Sequence, residues 1–425
     1  MARKIKKAKF KFKPFSKKQK KILTWWMPDS PVCDTDGIIA DGAIRSGKTL
    51  SMSLSYVMWA MENFDEQNFG MAGKTIGSFR RNVLNLLKVM LFSRGYTVKD
   101  HKTDNMLEVS KRGKTNYFYI FGGKDERSQD LIQGVTLAGM FFDEVVLMPE
   151  SFVNQATGRC SVDGSKFWFN CNPEGPYHWF KQEWIDKGLD KNILYLHFTM
   201  DDNLSLSEKI KARYRSMYQG VFYDRYIRGL WCMAEGIIYS MFDKDIHVVN
   251  PSDYTYTEYW VSCDYGTLNP TAFGLWGKTP QGKHVMIKEY YHSGRTTGQQ
   301  KTDKEYADDL ELFIEGYPIK GIIVDPAAAS FIAELRKRKL KVRKAKNAVL
   351  DGIRLVASLL SQERILIAES CVETQKEFNS YVWDEKASEK GEDKPLKEND
   401  HSMDQMRYYA NTIIGNLVAR IIQSR

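Results

Sequence analysis

The residues best equipped for chemistry fall into two sets. The first is Gly42-Ala-Ile-Arg45-Ser46-Gly47-Lys48-Thr49, which satisfies GxxxxGK[ST] at every fixed position. An apolar run precedes it and a helical pattern follows, as a phosphate cradle requires. Glycines let backbone N–H groups curl round phosphates, and the helix N-terminus adds positive potential. Lys48 would neutralise the β- and γ-phosphates of ATP, and the Thr49 hydroxyl would ligate Mg²⁺. Downstream, Ala138-Gly-Met-Phe-Phe-Asp143-Glu144 reads as an apolar strand ending in two acids. There Asp143 would hold the Mg²⁺ and Glu144 would polarise the attacking water. Phe167-Trp-Phe-Asn170-Cys171-Asn172-Pro173 ends another apolar run in amides, which suit either γ-phosphate sensing or a plain Asn-Pro turn. Gly73-Lys74-Thr75 has Asn68 where the loop needs its first glycine, and reads as a strand-to-loop junction.

The second set is carboxylates. Asp264 ends Trp260-Val-Ser-Cys-Asp264, and Asp325 ends Gly321-Ile-Ile-Val-Asp325. Asp400, His401 and Asp404 open the last helical pattern, with Asp400 and Asp404 sharing a helix face. Acids from two strands and a helix suit two Mg²⁺ or Mn²⁺ ions at a phosphodiester-cleaving site, because hard cations take oxygen ligands. The simpler reading makes Asp400 a helix cap and Asp264 and Asp325 ordinary strand-end acids. Glu289 and Glu305 are further possible ligands that read more easily as surface acids. Arg336 to Lys346 carries eight bases in eleven residues, which fits either phosphate-backbone contact or a solvated helix end.

The elements that must position these residues alternate short β-rich runs with helical patterns, the α/β signature. Strands fit 37–42, 116–121, 138–142, 166–171 and 192–198, and helices fit 48–61, 207–218 and 222–228. A second α/β set begins near Glu235. Its strands fit 259–264, 272–276, 284–290 and 319–325, and its helices fit 303–314, 328–338, 348–360 and 402–418. The polar stretch 385–399 reads as an exposed loop or hairpin tip. With 425 residues the chain is long enough for two cores. The expected division is a basic arm over 1–24, a first domain over 25–235 and a second over 236–425.

At 43% hydrophobic and 27% charged residues, the chain is globular, and no apolar stretch approaches a membrane span. The basic N-terminus lacks the apolar core of a secretory signal. Six cysteines form no CxxC pair and read as reduced thiols. The net charge of +9 is concentrated: residues 1–21 hold eleven Lys and Arg and no acid, leaving 51 bases against 53 acids elsewhere. The excess is an arm, either a solvated tail or a DNA contact.

Taken in order, these motifs resemble the large terminase subunits of tailed bacteriophages and related prophages, over nearly the full length. The resemblance implies a P-loop ATPase with a mainly parallel sheet, followed by an RNase H-like nuclease. It implies ATP-driven movement of double-stranded DNA into procapsids and endonucleolytic cleavage of concatemers. Arg45 would then be a cis sensor of the γ-phosphate, Asn170 to Pro173 the coupling motif, and Gln19 the adenine contact. Asp264, Asp325 and Asp404 would be the nuclease acids, with His401 in an Asp-His-x-x-Asp pattern. Many members carry Arg-Gly before the Asp-Glu strand; here Gln133-Gly134 stands there, and Arg127 is the nearest arginine for a trans finger. The implied partners are a portal protein, a small terminase subunit and further copies in a ring, in the host cytoplasm and transiently at the procapsid portal. A P-loop helicase-nuclease of DNA repair or recombination is the alternative, although no further helicase motifs stand out after residue 175.

Overall fold

The structure, a computed structural model, describes residues 10–266, 269–294 and 298–415. Residues 1–9 of the expected arm and the helix expected to reach residue 418 beyond 415 lie outside the described residues. The chain divides into two compact units. One runs through Ala212 and includes Tyr223–Met233; the other takes Arg213–Phe222 and the chain from Ala234.

The first unit is built on strands β1 (Gly37–Gly42), β2 (Asn68–Gly73), β3 (Thr97–His101), β4 (Met106–Lys111), β5 (Lys114–Gly122), β6 (Gly139–Asp143), β7 (Lys166–Asn170) and β8 (Ile193–Phe198). They form one sheet in the order β3-β4-β5-β2-β6-β7-β1-β8, parallel from β5 to β8, with β3 and β4 added as an antiparallel hairpin. Every position of β1 and β6 is buried, as expected for parallel strands covered on both faces. The helix Lys48–Asn63 lays Tyr56 and Trp59 against Trp168, with ring centroids 5.2 and 4.8 Å apart. The hairpin was not apparent in the sequence because only Leu107 and Val109 of β4 are fully buried.

The segment expected as an arm is ordered well before residue 24. Lys17–Thr24 is a helix opened by a Ser16–Gln19 capping box, and it buries Ile22 and Leu23. Two apolar side chains on one helical face outweigh the lysines around them: Lys17, Lys20 and Lys21 stay exposed, and Lys18 pairs with Asp202 at 2.9 Å.

The second unit carries β9 (Val248–Val249), β10 (Glu258–Asp264), β11 (Thr271–Lys278), β12 (His284–His292), β13 (Ile319–Val324), β14 (Val342–Lys344) and β15 (Ile365–Ala368). Their order is β14-β13-β10-β11-β12-β15-β9. The β10-β11-β12 meander is antiparallel, while β13 pairs parallel with β10. Cys263 and Val324 are in register, so Asp264 and Asp325 emerge at the same edge. The helix His401–Tyr409 is buried at every position after His401. Gln405 bonds to Ser262 of β10, and Tyr409 stacks on Trp276 of β11 at 4.5 Å. The stretch 385–399, expected as an exposed loop or hairpin tip, is a hairpin closed by an antiparallel Trp383–Pro395 bridge, and it carries a short helix, Glu385–Glu389, capped by Asp384. Its polar composition describes the exposed face of that helix rather than a lack of structure.

Candidate active sites

The phosphate-loop segment follows β1 directly. Gly42 (φ 115°) and Gly47 (φ 85°) lie in left-handed regions that favour glycine, and a Cβ on Gly42 would strike the Phe198 backbone. Arg45 also has positive φ (58°), and its carbonyl accepts a 2.6 Å bond from Asn203 Nδ2. Just before the loop, the fully buried Asp41 carboxylate is held by His197 Nδ1 (3.0 Å) and Trp231 Nε1 (2.7 Å).

Lys48 is buried, and its ammonium donates to the Gly42 and Ala43 carbonyls (3.0 and 2.7 Å), Ser46 Oγ (3.2 Å) and Asn172 Oδ1 (3.3 Å). Burial pulls its pKa down to about 8. Thr49 Oγ1 donates to Asp143 Oδ1 at 3.2 Å. Asn170 is the register partner of Asp143 on the neighbouring strand; its Nδ2 donates to Thr49 Oγ1 (2.8 Å) and to Asp143. Burial first, then the adjacent Glu144 charge, pushes the Asp143 carboxyl up to about 7. Glu144 sits in the left-handed region (φ 58°), a costly conformation for a residue with a side chain. A cavity of about 590 Å³ joins Arg45, Ser46, Gly47, Lys48, Thr49, Asp143, Glu144, Asn170, Asn172 and Asn203. Gln19 is buried with its amide against Gly47, although its Oε1 is engaged in capping Ser16 N. Arg127 lies exposed on the 3-10 segment Glu126–Ile132.

The second unit gathers Asp264, Asp325, Asp400, His401 and Asp404 around a cavity of about 700 Å³. His401 Nδ1 lies 2.9 Å from Asp264 Oδ2. Burial raises the Asp264 pKa; for His401 burial works the other way, but Asp264 outweighs it and the imidazole pKa is raised. The Tyr408 hydroxyl donates to Asp325 Oδ2 (2.6 Å) and stands 3.4 Å from Asp264 Oδ1. Asn347 Nδ2 also donates to Asp325 Oδ2 (2.9 Å). Asp404 Oδ1 is paired with Arg407 (2.9 Å), whose Nη1 reaches Asn347. Lys397 bridges Asp400 Oδ2 (2.8 Å) and Asp404 Oδ2 (3.1 Å). Asp400 therefore does not cap the helix. Glu377 does so instead, its buried Oε2 accepting from Ser402 N (2.7 Å) and Met403 N (3.1 Å).

Among the described residues no three His, Cys, Asp or Glu groups stand close enough to hold an ion as they are. The tyrosine hydroxyl and the two cations separate the carboxylates. The donor set is nonetheless all hard oxygen apart from one imidazole, which fits Mg²⁺ or Mn²⁺. Glu289 and Glu305 lie outside this cavity. Glu289 accepts the N–H groups of Glu373 and Thr374 at a helix start, and Glu305 completes a capping box with Thr302. The basic stretch ends beside the cavity at Asn347. In it Arg338 is engaged by Asp308, Glu311 and Glu334, whereas Lys341, Arg343, Lys344 and Lys346 are exposed on and beside the outermost strand β14. Lys397, Asn347, Tyr408 and Glu377 escaped sequence reasoning; only Tyr408, one helical turn after Asp404, carried a signal that could have found it.

No helix among the described residues is long and apolar enough to cross a membrane. Residues 39–245 match the family described as terminase large subunit, T4likevirus-type, N-terminal. The large terminase subunit of Escherichia phage T5 is 27% identical over 63% of this chain and 64% of its own length, so this chain spans less than two thirds of that relative. The solved large terminase of a thermophilic bacteriophage is similar over 95% of this chain and all of that one, at 66% identity and a TM-score of 0.90. A structure of that thermophilic-phage terminase in complex with ATP-gamma-S matches 94% of this chain and all of its own, at 64% identity and TM-score 0.86. At that identity and coverage, with a phosphate-loop cavity in one unit and a carboxylate cavity in the other, the chain belongs to the phage large terminase subunits.

Proposed function

We propose that this chain is an ATP-driven double-stranded DNA translocase joined to a metal-dependent endonuclease that cuts concatemeric DNA. The observation that carries the reading is that two residue sets line two different cavities, Lys48–Thr49–Asp143–Glu144 in one unit and Asp264–Asp325–Asp404 in the other. In the ATPase domain (25–235), Lys48 would exchange its carbonyl partners for the β/γ-phosphates, and Thr49 and Asp143 would hold Mg²⁺. Glu144 orients and deprotonates the attacking water, Arg45 senses the γ-phosphate, and the Gln19 amide faces the adenine. Asn170 to Pro173 pass the change in phosphate occupancy to the rest of the sheet.

In the nuclease domain (236–425), read as RNase H-like, Asp264, Asp325 and Asp404 would hold the metal with Asp400, and His401 would orient Asp264. Bound Mg²⁺ or Mn²⁺ would supply Lewis-acid activation of water and of the scissile phosphate. The exposed bases around β14 supply sequence-indifferent backbone contact. The partners of this reading are DNA, a portal protein, a small terminase subunit and further copies in a ring on the procapsid, within the host cytoplasm.

The test is an assay of the full chain for ATP hydrolysis with and without duplex DNA, and for plasmid nicking with Mn²⁺ or Mg²⁺. Stimulation by duplex DNA and cutting blocked by EDTA are expected. ATP-dependent strand displacement without metal-dependent cutting would instead favour a helicase.

A further inference from the structure

We propose that Lys397 is a resident cation on the carboxylate site, which a divalent ion must displace, so that this one side chain sets the metal affinity of the nuclease. The inference rests on the reading of that cavity as the nuclease site and adds a residue that the metal-ligand pattern does not contain.

Two cations touch Asp404, and they differ in kind. Arg407 is 1% exposed and fixed between Asp404 and Asn347. Lys397 is 65% exposed along its side chain, yet its ammonium bridges two carboxylates whose own side chains are only 7% and 8% exposed. It precedes the helix rather than belonging to it, and it approaches from solvent. Buried carboxylates need a compensating charge, and without a metal ion the ammonium provides it. The oxygens it occupies, Asp400 Oδ2 and Asp404 Oδ2, face the cavity shared with Asp264 and Asp325. A divalent cation seeking hard oxygens takes the same atoms, so ion and ammonium exclude one another there. Lysine suits a displaceable group: it is a compact point charge on a flexible stem, without the bidentate fork that locks an arginine. Arg407 stays and keeps Asp404 aimed while Lys397 leaves. The ammonium offsets the repulsion between Asp400 and Asp404 at the expense of weaker ion binding.

The test is Mn²⁺ titration of the full-length, nucleotide-free protein, read by the electron paramagnetic resonance signal of free Mn²⁺, together with melting curves in EDTA and in Mn²⁺. Lys397→Met is expected to bind Mn²⁺ at least about tenfold more tightly than the parent. It should also melt lower in EDTA and gain more from added Mn²⁺. Lys397→Arg, which keeps the charge and adds a fork, should bind Mn²⁺ no more tightly than the parent. Equal or weaker Mn²⁺ affinity in a folded Lys397→Met protein would overturn the inference. Asp404→Asn separates this from failure of the underlying site: if it leaves the Mn²⁺ affinity of the parent unchanged, the cavity is not the metal site at all.

Discussion

Replacing Asn170 with alanine isolates the link between the two strand ends of the phosphate-loop site. The Asn170 amide donates to both Thr49 Oγ1 and the Asp143 carboxylate, while its own Oδ1 is buried without a partner. A residue chosen for stability would not leave a buried acceptor unmet. Losing a hydrogen bond to a charged group costs roughly 1.5–3 kcal/mol, and the bond to the Thr49 hydroxyl about 1 kcal/mol more. Removing the orphan acceptor offsets a comparable amount, so global stability should change by about 1 kcal/mol or less. The effect at the site is not offset. Asp143 already has a pKa of about 7, and the Asn170 bond is among the interactions holding it down. Losing roughly 1.5–3 kcal/mol of preference for the ionised form raises that pKa by about one to two units. At pH 7 the carboxylate is then mostly protonated, and Mg²⁺ must displace a proton. Steady-state ATP hydrolysis against Mg²⁺ concentration should show half-saturation moved upward by about 5- to 50-fold at pH 7, with recovery toward pH 9. An Asn170→Ala protein with unchanged Mg²⁺ half-saturation at pH 7 would refute the reasoning.

Glu377 tests the positioning of the helix His401–Tyr409 at the carboxylate cavity. Burial raises its pKa from 4.5 to about 7, so the folded chain binds more protons than the unfolded chain between those values, and stability falls as pH rises through that window. The loss is on the order of 3 kcal/mol, and Glu377→Gln should abolish it; a difference in melting temperature between parent and variant that does not vary from pH 4.5 to 8 contradicts this. Arg45→Ala should lower kcat for ATP by on the order of 10³ while nucleotide binding persists, measured by steady-state kinetics and fluorescent-nucleotide titration. Charge reversal at Lys341 and Lys344 should weaken DNA binding and reduce the slope of log affinity against log salt by about 2, measured by fluorescence anisotropy.

The parts of the sites legible in the sequence are those written locally. The phosphate loop needs glycines and a lysine at fixed spacing, and an acid ending an apolar run marks the edge of a parallel strand, so Lys48, Thr49, Asp143, Asp264 and Asp325 could be read before any pairing was known. The pairings that tune them could not, even where a partner such as Asn170 was itself legible at the end of an apolar run. Asn170 meets Asp143 because β6 and β7 are adjacent and in register, and Glu377 meets the helix from 25 residues earlier in the chain. Asp400 shows how local rules mislead. A cap-type residue stands at the helix start, but a buried carboxylate from elsewhere takes the N–H groups and Lys397 takes Asp400. The Lys17–Thr24 helix was hidden by its lysines, since charge was visible and the two buried apolar positions were not. In the second unit the meander and the order β14-β13-β10 follow from tertiary pairing that no local pattern announces.

The central claim is that one chain holds two separable chemistries. The most direct measurement assays Lys48→Ala and Asp264→Asn proteins side by side for DNA-stimulated ATP hydrolysis and for Mn²⁺-dependent plasmid nicking. Lys48→Ala should lose hydrolysis and keep nicking, and Asp264→Asn should lose nicking and keep hydrolysis. Undiminished hydrolysis by the first protein, or undiminished cutting by the second, would contradict the account.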